Sequence, residues 1–374
     1  MRVGSDFSGV GAFNQALMRL GVQFEEVFAC DMDKYARDTF IHNYGEPKYY
    51  PTNVYDREIP AESLDIYMTS PPCQAFSLAG KRLGKEDKRG ILFFNSHEFI
   101  QVNKPRFFIF ENVKGLLSDD GGKTFQEWVN MLGGKSVNGV PVLFPYDSSV
   151  PYHLYWKVLN AKNHGVPQNR ERVFLIGIRD DADNRFQFPR EEHLTKRLKD
   201  VLEDAVDDKY FLNYKIINEI FVDNFKVKSA TSKGYEEATD GDSINFKNIN
   251  SETRRGRVGK GVAQTLESNN MSQAVIQLNP SLESRGKQPY QQNRVYDSNA
   301  LCPSLNAGQV TWGGNIVTLP NDYKIRRLTP RECFRLMDFP DTFTWKVSDS
   351  QAYKQAGNSI VVNVLYKILK QLPL

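Results

Sequence analysis

Short apolar runs alternate with helical spacing through the first 180 residues. Arg2 to Phe7 predicts a short strand that ends in a glycine turn, and Phe13, Ala16, Leu17 and Leu20 then recur at helical spacing until Gly21 stops them. Val27 to Cys30 predicts a second strand, followed by a helix from about Lys34 to Asn43. Leu64 to Thr69 predicts a third strand, broken by Pro71-Pro72. Arg106 to Phe110 and Arg172 to Ile178 predict two more, both buried. This alternation predicts an α/β chain with a parallel, doubly wound sheet, in which ligands bind at the carboxyl ends of the strands. The candidate site residues as far as Asn112 fall at such ends.

The pattern changes after about Arg179. Residues 180 to 325 are polar, rich in Asn, Ser, Gly, Lys and Arg, and carry only short hydrophobic pieces. A second domain with more strand and loop is expected at 181–325, between a first domain at 1–180 and a return to it at 326–374. A weak repeat lies inside: Arg257-Val258, Ala263 to Leu266 and Ala274 to Ile276 are echoed by Arg294-Val295, Ala300 to Leu305 and Asn315 to Val317. Two copies are too few for a solenoid, so a duplicated hairpin is expected. Leu328 to Met337 predicts a Pro-started helix and Ile360 to Leu372 a final apolar one.

Composition narrows the partners. With 374 residues, 40% hydrophobic and 25% charged, the chain fits a soluble globular class. Its formal charge of only +3 means that a nucleic-acid partner requires a local basic face. One such stretch exists: Ser251 to Arg331 holds eleven Lys/Arg against five Asp/Glu. The cysteines, Cys30, Cys73, Cys302 and Cys333, show no zinc or disulfide spacing, so neither a metal nor a disulfide framework is expected. No signal-peptide pattern and no apolar run near the ~18 residues of a membrane span is present, which points to a cytoplasmic protein.

The chemistry gathers at the predicted strand ends. Phe7-Ser-Gly-Val-Gly11 lets the backbone approach a ligand closely, and Asp31, some twenty residues on, stands where an acid can bind ribose hydroxyls. Asp31 has a helix N-cap as its alternative reading. Together the two suggest an adenosine-containing cofactor, and the missing third glycine weighs against a dehydrogenase. Cys73 follows the Pro-Pro break and precedes the polar Gln74, which argues for an exposed thiol. The segment from Ala79 to Gly90, with Lys81, Arg82 and Arg89, is a basic loop suited to closing over a phosphate backbone. Glu111 ends an apolar strand, where partial desolvation raises a carboxyl pKa and keeps it able to donate or accept a proton. Arg170 and Arg172 alternate at a strand start and are expected to point the same way, toward a base oxygen, an anionic loop or neighbouring carboxylates.

Taken in order, Phe7-Ser-Gly-Val-Gly-Ala-Phe13, Pro71-Pro-Cys-Gln74, Glu111-Asn-Val113, Gln168-Asn-Arg-Glu-Arg172 and Gln355-Ala-Gly-Asn-Ser359 resemble the motifs of the DNA cytosine-5 methyltransferases of bacteria and phages. The resemblance runs from residue 3 to about 366 and leaves the middle domain unmatched. It implies a Rossmann-like catalytic domain with an inserted target-recognition domain, and S-adenosylmethionine as cofactor. By the same resemblance Cys73 is the nucleophile, Glu111 engages the N3 and amino edge of cytosine, Arg172 holds the base oxygen, and Arg170 supports the active-site loop or the same edge. Phe7, Gly9, Val10 and Gly11 border the methionine part of the cofactor. Asp31 takes its ribose, Met32 packs on its adenine, and Asn53 and Val54 match the adenine-edge positions. Pro72, Leu92, Asn358 and Ile360 complete the wall. Two positions depart from the family: Asp31 stands where Glu is usual, and Asn53 where Asp is usual, although its carbonyl still accepts a hydrogen bond. The implied partner is double-stranded DNA, met by Gln74, Lys81, Arg82, Arg89, Arg254, Arg255, Arg257 and Arg294. A monomer in a bacterial or phage-infected cell is expected, with a cognate restriction endonuclease as an optional partner. A tRNA cytosine-5 methyltransferase, a non-catalytic nucleic-acid binder and a nicotinamide oxidoreductase are the rival readings.

Overall fold

The apolar runs form one face-covered sheet. A computed structural model describes residues 1–72, 91–182, 184–211, 221–223, 226–239, 241–266, 273–278 and 323–374, and these divide into two units. The first unit comprises Met1–Val166, Arg170–Leu194 and Met337–Leu374. In chain order it begins with β1 (Arg2–Asp6), α1 (Ala12–Leu20), β2 (Glu25–Cys30), α2 (Lys34–Tyr44), β3 (Ile66–Thr69), α3 (Ile91–Asn103), β4 (Phe107–Val113) and α4 (Lys123–Leu132). Four strands follow: β5 (Ser136–Val137), β6 (Val140–Pro141), β7 (Tyr152–Asn160) and β8 (Glu171–Arg179). The eight strands lie in the order β2-β1-β3-β4-β8-β7-β5-β6. β4 is buried from Phe107 to Asn112, as a strand covered on both faces should be.

The first four of these neighbours run parallel, but β8 pairs antiparallel with both β4 and β7. The expected parallel order holds for these four strands and stops at β8, so the doubly wound sheet is mixed. Only residues 161–170 separate β7 from β8, and they hold a short 3-10 turn, too little chain for a helical crossover. The reversal matters for the site. It brings the start of β8 to the carboxyl end of β4, with Arg172 opposite Val113.

On β2, Glu26 is a half-buried carboxyl. Desolvation pushes Glu26 up to about 7, against a hydrogen bond from Asn14. The folded chain therefore holds this proton more tightly than the unfolded one. Its contribution is complete below the ordinary value of 4.5 and is lost as pH rises through about 7. The melting temperature is expected to fall across that window by an amount worth on the order of 2–3 kcal/mol, and Glu26→Gln is expected to flatten this part of the profile. A Gln variant that keeps the wild-type slope in thermal scans would place the proton elsewhere.

The second unit comprises Pro167–Asn169 and Thr195–Leu336. Its strands β9 (Phe221–Asp223), β10 (Lys226–Lys228) and β11 (Tyr235–Glu237) form an antiparallel sheet. β12 (Ser243–Asn245), β13 (Val258–Gly259), β14 (Gln273–Leu278) and β15 (Tyr323–Arg327) form another, in the order β13-β12-β14-β15, followed by α5 (Pro330–Leu336). β13 and β14 each pair with β12 and not with one another, so the first copy of the repeat is not a hairpin. The second copy lies outside the described residues.

The boundaries fall later than 180 and 325. Beyond β8 the chain stays with the first unit, where Asn184 accepts the Tyr155 hydroxyl at 2.7 Å and Phe186 packs on the Tyr155 ring. At the other end, the buried Arg326 guanidinium makes two bonds to Glu332, at 2.7 and 2.8 Å, and keeps α5 with β15. The chain re-enters the first unit at Met337 and ends in α6 (Asp349–Asn358) and α7 (Val362–Leu369).

Candidate active site

The glycine turn after β1 uses its two glycines differently. Phe7, Gly9 and Gly11 all have positive φ, at 58°, 54° and 83°. A Cβ on Gly9 would meet nothing within 4 Å, so this backbone faces open space. A Cβ on Gly11 would stand 2.2 Å from the Tyr44 ring, so here glycine lets α2 close against the turn. Val10 is buried beneath, and Phe7 packs against the core.

Asp31 braces this turn. Its Oδ2 accepts the Gly9 N–H and its Oδ1 the Asp33 N–H, both at 2.8 Å. The N-cap of α2 is Asp33, whose side chain accepts from Tyr35 and Ala36, so the N-cap alternative belongs two residues on. Burial raises the Asp31 pKa, and the two backbone bonds oppose it. Met32 beside it is 86% exposed, an apolar side chain left open at the strand ends. Asn53 accepts the Tyr55 N–H at 3.0 Å and Val54 is buried. Pro72 and Asn358 are exposed, Leu92 is half-buried on α3, and Ile360 is buried.

Glu111 and Arg172 form the second cluster. Arg172 Nε lies 3.0 Å from Glu111 Oε1 across the antiparallel pair, and Arg172 Nη1 donates to Glu171 O at 2.8 Å. Burial raises the Glu111 carboxyl above its ordinary value, with Arg172 and then Arg170 pulling the other way. Asn112 donates its amide to Pro71 O at 3.0 Å and so ties the end of β4 to the proline turn.

Arg170 does not point with Arg172. It precedes β8, is buried, and donates to Gly357 O at 3.0 Å and Ser359 O at 2.7 Å. It holds the turn between α6 and α7. Burial and the neighbouring Arg172 bring it down to about 9, which leaves it charged at neutral pH.

In the second unit, Arg257 corrects a DNA-facing expectation. It is 0% exposed, and its guanidinium donates to Asn245 O, Lys247 O and Asn248 O at 2.7 to 3.1 Å. Arg254 is half-buried and Arg255 is exposed, with its Nε on Ala230 O at 2.9 Å. Cys73, Gln74, Lys81, Arg82, Arg89 and Arg294 lie outside the described residues. Sequence reasoning passed over Asp6 and Arg57, which meet in the core below the glycine turn. An acid at the end of a predicted strand, directly before the glycine turn, was the available signal.

A glycine turn at β1, an acid at the end of β2 and a carboxyl–guanidinium pair between β4 and a reversed β8 define a Rossmann-like transferase. The sequence model described as C-5 cytosine-specific DNA methylase matches residues 1–373, and the chain belongs to that family. It is similar to the orphan methyltransferase M.SPRI of Bacillus phage SPR, at 32% identity over 100% of this chain and 97% of that protein. It is likewise 32% identical to the type II methyltransferase M.HhaI of Haemophilus parahaemolyticus, over 97% of this chain and 91% of that protein. The fold resembles that of a Spodoptera frugiperda DNMT2 mutant, with a TM-score of 0.62 and 20% identity over 99% of this chain and 98% of that one. It also resembles a putative DNA modification methyltransferase from an E. coli prophage, with a TM-score of 0.59 and 19% identity over 99% and 98%. The protein is a DNA cytosine-5 methyltransferase. No helix among the described residues is long and apolar enough to cross a membrane.

Proposed function

We propose that this enzyme methylates cytosine within a specific sequence of double-stranded DNA, with S-adenosylmethionine as donor. The observation that carries the reading is the ion pair of the buried Glu111 with the half-buried Arg172 at the carboxyl edge of β4. The first unit offers what the cofactor needs: an open backbone at Gly9, the Asp31 carboxylate and the exposed Met32. Phe7, Gly9, Val10 and Gly11 would border its methionine end, Asp31 its ribose, and Met32, Asn53 and Val54 its adenine, with Pro72, Leu92, Asn358 and Ile360 around it. When bound, S-adenosylmethionine supplies an electrophilic sulfonium methyl group.

The reaction needs the target base outside the stack, so the cytosine is flipped. Arg172 holds its O2, and Glu111 meets N3 and the exocyclic amine. The Cys73 thiolate adds to C6, and Glu111 stabilises the charge that develops at N3, which leaves C5 enamine-like and nucleophilic. Loss of the C5 proton to a base and departure of the thiolate then restore the ring. Arg170 acts at one remove, through the closing turn that carries Asn358 and Ile360. A cognate restriction endonuclease for the same site fits an enzyme of this kind.

We assign DNA contacts to Gln74, to the basic segment with Lys81, Arg82 and Arg89, and to Arg254, Arg255 and Arg294 in the second unit, which we take as the target-recognition domain. Arg254→Ala and Arg255→Ala together are expected to weaken binding to all sequences and to lower the salt slope by about two. Arg257→Ala is expected instead to lower stability by roughly 1–3 kcal/mol, since three carbonyls lose their donor. DNA titrations against salt, read beside melting curves, separate the two. An unchanged slope in the double variant would move recognition elsewhere.

The function itself is tested by offering duplex DNA and tRNA with labelled cofactor, followed by bisulfite sequencing. Label at C5 of cytosine in one DNA sequence is expected. Label confined to tRNA would overturn the reading.

A further inference from the structure

One buried carboxylate joins three segments that flank the cofactor turn. Asp6 ends β1, directly before Phe7. Arg57 Nε donates to its Oδ1 at 2.9 Å and its Oδ2 at 3.1 Å, and the Tyr67 hydroxyl donates to Oδ2 at 2.6 Å. The Arg57 and Asp6 side chains are 2% and 0% exposed. The guanidinium also lies over the Phe99 ring, 4.6 Å from its centroid.

Arg57 closes the segment that carries Asn53 and Val54. Asp56 N–H bonds back to Asn53 O at 3.2 Å, and the other end is held by Arg37, which donates to Tyr50 O at 2.7 Å and Pro51 O at 3.1 Å. Tyr67 sits on β3, the strand that leads to the proline turn. A buried ion pair is often no more stabilising than apolar side chains of the same volume, so stability alone is a weak reason for this one. What apolar packing lacks is direction. The Nε–H shared between both carboxylate oxygens, together with the Tyr67 hydroxyl on Oδ2, fixes the carboxylate's distance and orientation.

We propose that Asp6, Arg57 and Tyr67 form a positioning device for the cofactor pocket, which locks the Asn53–Val54 segment against the glycine turn and so sets cofactor affinity rather than the chemical step. This rests on the reading of these two segments as the cofactor site. Neither charged side chain reaches the surface, so both act through the residues they hold.

The test compares wild type with Arg57→Met, Arg57→Lys and the double variant Asp6→Leu/Arg57→Met, by calorimetry with S-adenosylmethionine, steady-state kinetics and melting curves. Arg57→Met leaves Asp6 buried without its charge partner, and its melting temperature should fall. The double variant should regain wild-type stability, yet bind the cofactor roughly tenfold more weakly, with kcat at saturating cofactor within about twofold of wild type. Arg57→Lys, a point charge on a flexible stem in place of the fixed planar Nε–H, should recover only part of the affinity. A double variant with wild-type stability and wild-type affinity would overturn the proposal, as would a loss in kcat at unchanged KM. Should the double variant fail to fold, wild-type affinity in Arg57→Lys decides against it equally. Asp31→Ala serves as the control. If it binds the cofactor as tightly as wild type, the assignment of the site is at fault and not the positioning role.

Discussion

Cys73→Ala is expected to abolish methyl transfer while leaving cofactor and DNA binding largely intact. Cytosine C5 is a poor nucleophile until a thiolate adds at C6, and no other side chain of the proposed site supplies that nucleophile. The same chemistry makes a second, positive test. DNA with 5-fluorocytosine at the target should trap the wild-type enzyme covalently, because fluorine at C5 blocks the elimination that would release it. Turnover retained in the alanine variant, or no adduct on a confirmed target site, would sink the covalent mechanism.

Glu111→Gln should cost on the order of 10²–10⁴ in the rate of methyl transfer, the range for losing a positioned acid–base group. Glutamine keeps the shape, and its carbonyl still accepts the Arg172 Nε–H now 3.0 Å from the carboxylate. What it loses is the titratable proton that burial makes available by raising the carboxyl above its ordinary pKa. The pH profile gives the second readout. A raised carboxyl contributes its protonated form to higher pH, so the alkaline limb that reports Glu111 should vanish in the glutamine variant. Single-turnover rates within about threefold of wild type would remove Glu111 from the chemistry.

Arg170 and Arg172 show how unevenly a site is written in sequence. They stand two residues apart in one motif, and strand alternation predicted a common direction. Arg172 lies inside β8 and meets Glu111, while Arg170 lies just outside and is drawn to carbonyls at Gly357 and Ser359. One residue of strand boundary separates the two fates, and pairing decides where that boundary falls. Arg257 makes the same point for charge. A cluster of arginines reads as a surface, yet this one is buried under three carbonyls of the turn at 245–248.

The sequence by itself determined the features that local chemistry enforces. The glycine turn with its positive φ at Gly9 and Gly11, the acid after β2, the proline break after β3 and the carboxyl at the end of an apolar β4 each follow from residues adjacent in the chain. Their order carried the family, and the family carried the reaction. Only the tertiary structure decided the direction of β8, because strand polarity depends on how much chain is left to cross the sheet. It alone decided the late boundaries of the second unit, where Asn184 and Glu332 choose their partners. It alone joined Asp6 to Arg57, fifty-one residues apart, since a buried charge finds its counterion through packing and no spacing rule records that distance.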